Sequence, residues 1–243
     1  MSLTCDLATD SRVKVIGLGG IGGVVTQYLA VFLRSLGRPL RLVLIDGDRY
    51  EPGNGGRMVF SRAGNKAEVK AAEVLAMLGP CDVSVATVPE YVTAENVSRL
   101  IRNGDRVLLC VDNHPTRKLV SDHCGTLESV ALFSGGNDGV EPPARLGTYG
   151  NVQVYLRQGG QDATAPLTRF HPEIANPRGK LPTELSCAEL AQSVPQILFT
   201  NLAVASAMLG AFFAHACGRL SYQEVKLDVL EARMLPQLPL TPA

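Results

Sequence analysis

The sequence predicts an α/β fold with a mostly parallel β-sheet flanked by helices, and three consecutive segments near the start carry that prediction. Arg12–Ile16 (RVKVI) is a short β-branched run that leads directly into the glycine-rich stretch GLGGIGG. Residues 24–36 have the composition of a helix, which Gly37 and Pro39 end. Leu40–Ile45 (LRLVLI) is a nearly continuous apolar run, typical of a strand buried on both faces. Strand, glycine turn, helix and strand together form a βαβ unit with parallel strands.

The same alternation continues along the chain. Helices are predicted at residues 66–78, 94–101 and 116–124, and strands at residues 82–88, 106–111 and 130–134. The pattern then changes, with strands predicted at residues 148–157 and 224–230, a proline-rich crossover loop at 162–184, an apolar helix at 197–217 and a mobile tail at 235–243. The sequence therefore predicts a C-terminal extension of the sheet, reached through a crossover loop.

Composition argues against several classes of function. Lys+Arg and Asp+Glu are both 23, so the formal net charge is zero, and neither nucleic acid nor a membrane surface is expected as a partner. The six cysteines form no C-x-x-C pair. We therefore expect free thiols and no structural zinc site. The first ten residues lack the features of a signal peptide, which favours a cytoplasmic location.

The apolar stretch at residues 197–217 is long enough to cross a bilayer. Thr200, Asn201, Ser206 and His215 interrupt it, however, and no cluster of basic residues flanks it. A helix buried in the core or at a dimer interface is therefore expected, with a membrane helix as the alternative.

The glycine stretch predicts a phosphate-binding turn. Gly17, Gly19 and Gly22 form G-x-G-x-x-G between a strand and a helix, and Gly20 lies within the same glycine-rich stretch. Such a loop lets backbone N–H groups and the positive end of the helix dipole approach a phosphate. Asp46 ends the second strand, where a carboxylate can accept hydrogen bonds from ribose hydroxyls. The pattern supports a nucleotide without deciding between NAD and ATP, and a glycine turn that only packs a helix on the sheet is the structural alternative.

Polar residues after the second strand favour ATP. Asp48, Asn54, Arg57 and Lys66 follow Asp46, past the carboxyl edge of the sheet where ligands bind in open α/β folds. An arginine and a lysine near a helix start suit a triphosphate. Asp48 is also compatible with a simple turn. Arg62 and Lys70, a little farther along, are expected to be solvated.

The fourth strand ends in a second polar pair, Asp112 and Asn113. A carboxylate at this edge can hold Mg²⁺, which usually combines one or two carboxylates with phosphate oxygens. Arg117 follows on the next helix.

These motifs, in the order G-x-G-G-I-G, D-x-D, N-x-x-R, K-A and D-N-x-x-x-R, resemble the ThiF/MoeB family, bacterial relatives of ubiquitin-activating enzymes. The resemblance covers residues 12–135 well, and the second half looks closest to the PRTRC-type ThiF subgroup. It implies one Rossmann-like adenylation domain over residues 1–243, with a nucleotide-binding half at 1–140 and a carrier-protein-binding and dimerisation half at 141–243.

By resemblance, ATP and Mg²⁺ are the cofactors, and the partners are a ubiquitin-like or sulfur-carrier protein and a second copy of the chain. The resemblance implies a set of nucleotide-binding positions: Gly17, Gly19, Gly20, Gly22, Asp46, Asp48, Asn54, Arg57, Lys66, Asp112 and Asn113. Arg57, Lys66 and Asp112 would be catalytic, with Asp112 holding Mg²⁺. Cys187 lies near a predicted helix start, where a thiolate is favoured, in the region where relatives carry a transfer cysteine. A buried cysteine that only packs is the competing interpretation.

The sequence departs from the family pattern at several points. The stretch often written NLNRQ is NGGRM here, so Met58 replaces a polar residue. The paired C-x-x-C zinc motifs are absent, and the few residues before Arg12 leave no place for the N-terminal arginine that family dimers exchange. These departures keep a non-catalytic ThiF-like binding subunit open as an alternative to an enzyme, and an NAD(P)-dependent oxidoreductase is a further, less favoured one.

Overall fold

The structure is a computed structural model that describes residues 4–5, 7–51, 58–185 and 195–238. The strands, in chain order, are β1 (Arg12–Ile16), β2 (Leu40–Ile45), β3 (Arg49–Tyr50), β4 (Gly64–Asn65), β5 (Val83–Val88), β6 (Arg106–Leu109), β7 (Val130–Asn137), β8 (Val140–Glu141), β9 (Arg145–Leu146), β10 (Tyr149–Gln158), β11 (Gln161–Asp162), β12 (Glu224–Asp228) and β13 (Arg233–Gln237). The helices are α1 (Gly20–Ser35), α2 (Lys66–Leu78), α3 (Val97–Leu100), α4 (His114–Cys124), α5 (Pro172–Ala175) and α6 (Leu198–Ala216), with a 3-10 turn at Pro182–Glu184.

One nine-stranded mixed sheet organises the described residues, in the order β13-β12-β10-β7-β6-β1-β2-β5, with β11 paired to β10. Strands β5, β2, β1, β6 and β7 run parallel, and β10, β12 and β13 are added antiparallel. From β1 the chain moves outward through β2 to β5 and then returns to β6 on the other side of β1. The strand order thus reverses between β1 and β6, and ligands of open α/β sheets bind at the carboxyl ends of the strands beside such a reversal.

Helices cover both faces of the sheet. One apolar core lies between the sheet and α1, α2 and α6, with Val15, Leu29 and Phe212 fully or almost fully buried in it. The other lies between the sheet and α3, α4 and α5, with Leu109 and Val120 among its members. The continuous apolar runs of the central strands are explained by this arrangement, because each strand contributes side chains to both cores.

Helix α6 packs on β7, β10 and α1. It is long and apolar enough to cross a membrane by length and composition, with a mean hydropathy of 1.5, and 44% of its most hydrophobic window is buried. Such a helix is also found in the cores of soluble proteins. The polar side chains of Thr200 and Asn201 are completely buried and hydrogen-bonded: Thr200 donates to the carbonyl of Gly147 at 2.7 Å, and Asn201 accepts from Asn137 at 2.5 Å. The face of α6 that carries Thr200 and Asn201 therefore confirms the prediction of a helix packed in the core.

Several element boundaries differ from the sequence prediction. Helix α1 begins at Gly20, four residues earlier than 24, because the glycine loop turns directly into its first turn. Strand β7 continues through Gly136 to Asn137. The predicted crossover loop contains α5 and the 3-10 turn. Residues 235–237 of the predicted mobile tail belong to β13, which pairs with β12 through a short turn in which Ala232 has φ +50°.

Candidate functional site

The glycine loop between β1 and α1 is built from close backbone contacts. Gly17 has φ +84°, and its N–H donates to the carbonyl of Ile45 at 2.9 Å, which ties the loop to the end of β2. A Cβ built on Gly22 would lie 1.8 Å from the carbonyl oxygen of Gly17. Both positions therefore need glycine for the fold itself, one for its dihedral angle and one for close approach.

The start of α1 has no side-chain cap among the described residues. Gly19 is the N-cap, and the first turn of the helix contains no acidic residue. Within the described part of the chain, a Cβ built on Gly19 would meet the methyl carbon of Met58 at 3.7 Å. An uncapped helix start with Gly19 and Gly20 partly exposed suits an anion such as a phosphate.

Asp46 connects the glycine loop to the turn after β2. Its carboxylate accepts the N–H of Leu18 at 2.6 Å and the N–H of Asp48 at 2.8 Å. Burial raises the pKa of Asp46, while nearby Lys66 and these two N–H donors oppose the rise. A carboxylate has about four lone-pair positions, so this one retains capacity to accept a hydroxyl such as that of a ribose.

Lys66 is the first residue of α2 and faces the same turn. Asn65 caps the helix by accepting the N–H groups of Ala67 and Glu68 at 2.9 and 3.2 Å. The Lys66 ammonium forms an ion pair with Asp48, and 7% of the lysine side chain and 50% of the aspartate side chain are exposed. Lys66 is thus held at the predicted place, with a carboxylate as its partner.

Asp112 and Asn113 follow β6, across the strand reversal from α2. The Asp112 side chain is exposed and makes no hydrogen bond or ion pair with another described residue. The Asn113 side chain instead caps α4 by accepting the N–H of Thr116 at 2.9 Å. The carboxylate is therefore open to a ligand, whereas the neighbouring amide already has a structural role.

Arg117 holds the segment that carries Asp112. Its buried guanidinium donates to the carbonyl of Val111 at 3.0 and 3.2 Å and to that of Gly135 at 2.7 Å. The side chain therefore joins the ends of β6 and β7, next to the predicted magnesium ligand.

The glycine loop, Asp46, Lys66 and Asp112 thus lie along one edge of the sheet, as in the order of the sequence motifs. The sequence model of the ThiF family matches residues 4–226 of the chain. The chain belongs to the ThiF family. The family resemblance stated from the motifs is confirmed, and the narrower PRTRC-type subgroup stays a prediction.

Named relatives cover part of this ThiF-family chain. The adenylyltransferase and sulfurtransferase MOCS3 of Drosophila yakuba is 36% identical over 150 residues, which are 60% of this chain and 31% of MOCS3. The SAMP-activating enzyme E1 of Haloferax volcanii is 37% identical over 129 residues, which are 52% of this chain and 45% of that protein. The chain spans less than half the length of these curated relatives.

Solved structures of MccB from E. coli share the fold. MccB with ATP has a TM-score of 0.68 at 16% identity, over 95% of this chain and 64% of MccB. MccB with AMPCPP and MccA has a TM-score of 0.69 at 17% identity, over 96% of this chain and 65% of MccB. At this level of identity the likeness concerns the fold, and it confirms the Rossmann-like α/β prediction.

Three predicted site residues of the ThiF-family motif lie outside the described residues. These are Asn54 and Arg57, in the segment 52–57, and Cys187, in the segment 186–194. Their roles stay predictions. The other predicted positions are described, and of these Asn113 is the one whose side chain is already used as a helix cap.

The structure corrects the expectation for Lys70. Its side chain was expected to be solvated, but it is buried, and its ammonium lies 4.4 Å from the centroid of the Phe60 ring. It also donates to the carbonyl of Val59 at 2.8 Å and pairs with Glu73 at 2.5 Å. The Phe60 ring in turn stacks on Tyr50 at 4.8 Å. Lys70 therefore anchors Val59 and Phe60, in the segment that leads into α2.

Sequence reasoning missed Tyr91, which follows β5 and packs on Gly47, between the two aspartates of the D-x-D motif. No motif marks this tyrosine, because the contact depends on β5 lying beside β2.

The glycines at 135 and 136 have a packing role that was also not expected. A Cβ on Gly135 would lie 2.2 Å from the sulfur of Met208, and one on Gly136 would lie 1.9 Å from Nη2 of Arg117.

Proposed function

We propose that this chain is an ATP-dependent adenylyltransferase that activates the C-terminal glycine carboxylate of a ubiquitin-like or sulfur-carrier protein. The observation that carries the proposal is the alignment of three features along one sheet edge. An uncapped helix start, a lysine at the first position of α2 and an exposed carboxylate after β6 lie at the ends of adjacent strands. A dinucleotide offers no role for Lys66 and Asp112 together, whereas a triphosphate with a divalent cation uses both.

The reaction joins two anions. A carboxylate oxygen of the carrier attacks the α-phosphorus of ATP, the bond from that phosphorus to the bridging oxygen breaks, and pyrophosphate leaves with the electron pair. The products are an acyl-adenylate and pyrophosphate, with no change of oxidation state. Because a carboxylate is a weak nucleophile, the rate gain comes mainly from alignment and from neutralisation of charge.

The described residues fit these tasks. Asp46 would accept ribose hydroxyls, and the backbone N–H groups at the start of α1 would bind phosphate. By family resemblance, Lys66, Arg57 and Asn54 would bind the phosphates, and the two cationic side chains, Lys66 and Arg57, would neutralise phosphate charge. Asp112 would hold Mg²⁺, which neutralises phosphate charge when bound. A single carboxylate fits this ion, because Mg²⁺ takes most of its remaining ligands from phosphate and water.

The names of the relatives support the reaction class. MOCS3 is named as an adenylyltransferase and sulfurtransferase, and the Haloferax volcanii relative as an activating enzyme for SAMP. By extension from them, we propose the carrier substrate and a second step. In that step the Cys187 thiolate attacks the acyl carbon of the adenylate, a thioester forms and AMP leaves with the electron pair of the broken bond. A cytoplasmic location is part of the same proposal.

We also propose that the chain acts as a homodimer. Apolar side chains at the start of α6 support this, since Leu198, Phe199 and Leu202 are 42%, 69% and 39% exposed. Exposed apolar clusters of this kind often mark protein–protein contacts.

ATP–pyrophosphate exchange tests the proposed function. Purified protein with Mg²⁺ and candidate carrier proteins should exchange labelled pyrophosphate into ATP, and Asp112→Asn should abolish the exchange. Asp122→Asn, an exposed aspartate at the far end of α4 that pairs with Lys118, is the matched control and should leave exchange intact. Carrier binding without ATP binding would identify the non-catalytic subunit instead, and binding of NADH in place of ATP would identify an oxidoreductase.

A further inference from the structure

Lys70 lies one helical turn after Lys66, where α2 packs beside the start of α1. Side chains four residues apart lie on the same face of a helix, so the two lysines are neighbours along α2. A Cβ built on Gly23, in the first turn of α1, would lie 4.0 Å from Cε of Lys70. Lys70 is 5% exposed, and its side chain therefore lies buried between the two helices that border the glycine loop.

The ammonium group of Lys70 is fully engaged by described residues. It donates to the carbonyl of Val59 at 2.8 Å and to Glu73 at 2.5 Å, and it lies 4.4 Å from the centroid of the Phe60 ring. A lysine ammonium offers three donors, and these three contacts use all of them. Lys70 therefore acts on the segment before α2 and not on a ligand.

Phe60 is held by further contacts besides Lys70. Its ring stacks on Tyr50, with the centroids 4.8 Å apart and the two planes at 22°. Tyr50 belongs to β3, which pairs with β4 directly before α2. The residue after Phe60, Ser61, donates its N–H to Glu73 at 2.5 Å. The position of Phe60 is thus fixed relative to both β3 and α2.

The fixed position of Phe60 determines where the chain passes the glycine loop. Met58, two residues earlier, has its methyl carbon 3.7 Å from the Cβ position of Gly19, the N-cap of α1. Arg57, a predicted phosphate-binding residue, directly precedes Met58 in the sequence. A segment that is already fixed loses little conformational entropy when a ligand binds beside it, and such preorganisation raises affinity.

We propose that Lys70 is a positioning residue for ATP binding, which holds Phe60 and thereby keeps Met58 beside the glycine loop. The inference deepens the proposed function and rests on it, because the ligand at this loop is the triphosphate of ATP. Lys70 itself touches no phosphate in this role. A buried lysine–carboxylate pair contributes little net stability compared with apolar side chains, so we assign this pair to fixing the geometry of the segment.

Kinetics of the Lys70→Met variant test the role, because methionine keeps most of the side-chain volume and removes the charge. We expect the KM for ATP in pyrophosphate exchange to rise about three- to tenfold, the effect of losing the ring contact and a hydrogen bond, with kcat nearly unchanged. Phe60→Leu should raise KM similarly, and the double variant should show no more than the larger single effect, because both changes release the same segment. An unchanged KM in Lys70→Met, or fully additive rises in the double variant, would overturn the proposal.

Lys14→Met is the matched control for loss of a buried lysine. Lys14 is 6% exposed and pairs with Asp105 at 2.6 Å at the amino end of β6, whereas the glycine loop follows the carboxyl end of β1. The variant should lower the free energy of unfolding without changing the KM for ATP. An equal rise of KM in Lys14→Met would assign the effect to general loss of stability and overturn the proposal. If Lys70→Met does not fold, Phe60→Leu carries the same comparison, since it leaves the pair of Lys70 with Glu73 in place.

Hydrogen exchange without nucleotide separates this inference from the proposed function. The backbone N–H groups of residues 59–61 should exchange about threefold faster or more in Lys70→Met than in the wild type, with those of α4 unchanged as internal reference. Equal exchange in the two proteins would show that Lys70 does not hold the segment and would overturn the proposal. A wild type that binds no ATP would overturn the proposed function, and with it the role toward ATP, even where exchange shows that Lys70 holds Phe60. Equal ATP affinity of the wild type and Lys70→Met would overturn the role alone and leave the proposed function standing.

Discussion

The guanidinium of Arg117 occupies the space that a side chain on Gly136 would need. A Cβ built on Gly136 would lie 1.9 Å from Nη2 of Arg117. From that position Arg117 donates to the carbonyls of Val111 and Gly135, and so joins the ends of β6 and β7. Gly136 is therefore needed to seat an arginine beside Asp112.

Gly136→Ala should displace Arg117 and loosen the segment that carries Asp112. Overpacking in a closed site costs about 1–3 kcal/mol, and the two carbonyls lose their donor as well. We expect a lower free energy of unfolding in urea and weaker ATP binding in calorimetry. Gly210→Ala is the control, since no atom of the other described residues lies within 4 Å of its Cβ position in α6, and alanine is expected to stabilise the helix by about 0.5–1 kcal/mol. Equal stability of the two variants would contradict the packing argument.

Alanine substitutions at Gly22 and Gly19 should have different effects, one on stability and the other on ATP affinity. Gly22→Ala places a methyl group against the carbonyl of Gly17, where backbone leaves no room, and should cost more than about 3 kcal/mol of stability. Gly19→Ala meets the Met58 methyl at an ordinary contact distance and should fold normally. It should nevertheless weaken ATP binding about tenfold or more, because a phosphate shifted by about 1 Å loses alignment with the helix N–H groups. Urea unfolding and calorimetry on both variants check this separation, and normal ATP affinity in Gly19→Ala would show that phosphate does not approach there.

The parallel part of the sheet could be predicted because the sequence of each strand is recognisable by itself. Each central strand is buried on both faces, so that its sequence is a short apolar run between turn residues, as in Leu40–Ile45. Strand β13 lacks that signal, since it lies at the sheet edge and Arg233, Met234 and Leu235 are exposed. Its position follows from pairing with β12, which local sequence does not report.

The residues of the candidate site also fall into two groups: those that local sequence predicts and those whose position depends on the assembled fold. The positions of Asp46, Lys66 and Asp112 at the sheet edge were predictable because each follows a strand or begins a helix, whereas their roles stay predictions. The burial of Lys70 was not, because it depends on Phe60 folding back over α2. The contact of Tyr91 with Gly47 likewise depends on two strands lying side by side, and is a property of the assembled sheet.

A buried ion-pair group at the amino end of β6 should dominate the electrostatic part of stability. Asp105 is fully buried, and its carboxylate pairs with Lys14 at 2.6 Å and with Arg12 at 2.6 Å. Lys14 is 6% exposed, and burial lowers its pKa, so the charge depends on its partner. Asp105→Ala leaves that charge uncompensated and should cost about 3–5 kcal/mol. Asp122→Ala, which breaks the exposed pair with Lys118, should cost about 0.3–0.5 kcal/mol. Urea unfolding near neutral pH measures both, and similar losses would show that Lys14 finds another partner or is neutral.

His171 links the segment before α5 to the C-terminal part of the sheet and should make stability depend on pH. Its Nε2 lies 3.0 Å from buried Glu224 and its Nδ1 lies 2.8 Å from Glu173. The nearby carboxylate of Glu224 raises the pKa of His171, burial opposes the rise and Glu173 adds to it. Burial alone would raise the pKa of Glu224, but nearby His171, the hydrogen bond from Asn151 and the charge of Lys226 lower it.

The sign of the effect follows from the direction of the histidine shift. A raised pKa means that the folded state holds the proton more tightly than the unfolded chain, whose histidine titrates near about 6.5. The stabilisation is therefore complete below that value and is lost as pH rises through the higher pKa of the folded state. The loss should be roughly 1.5–3 kcal/mol, the size of a charge-assisted hydrogen bond.

Urea unfolding at a series of pH values from acid to mildly alkaline measures this loss. His171→Gln should be less stable than the wild type at the acid end of the series and nearly as stable at the alkaline end. His123→Gln is the control, because His123 contacts the carbonyl of Ile101 at 2.9 Å near the end of α4 and should leave the pH-dependent loss in place. A loss of the same size in His171→Gln would assign the dependence to another group.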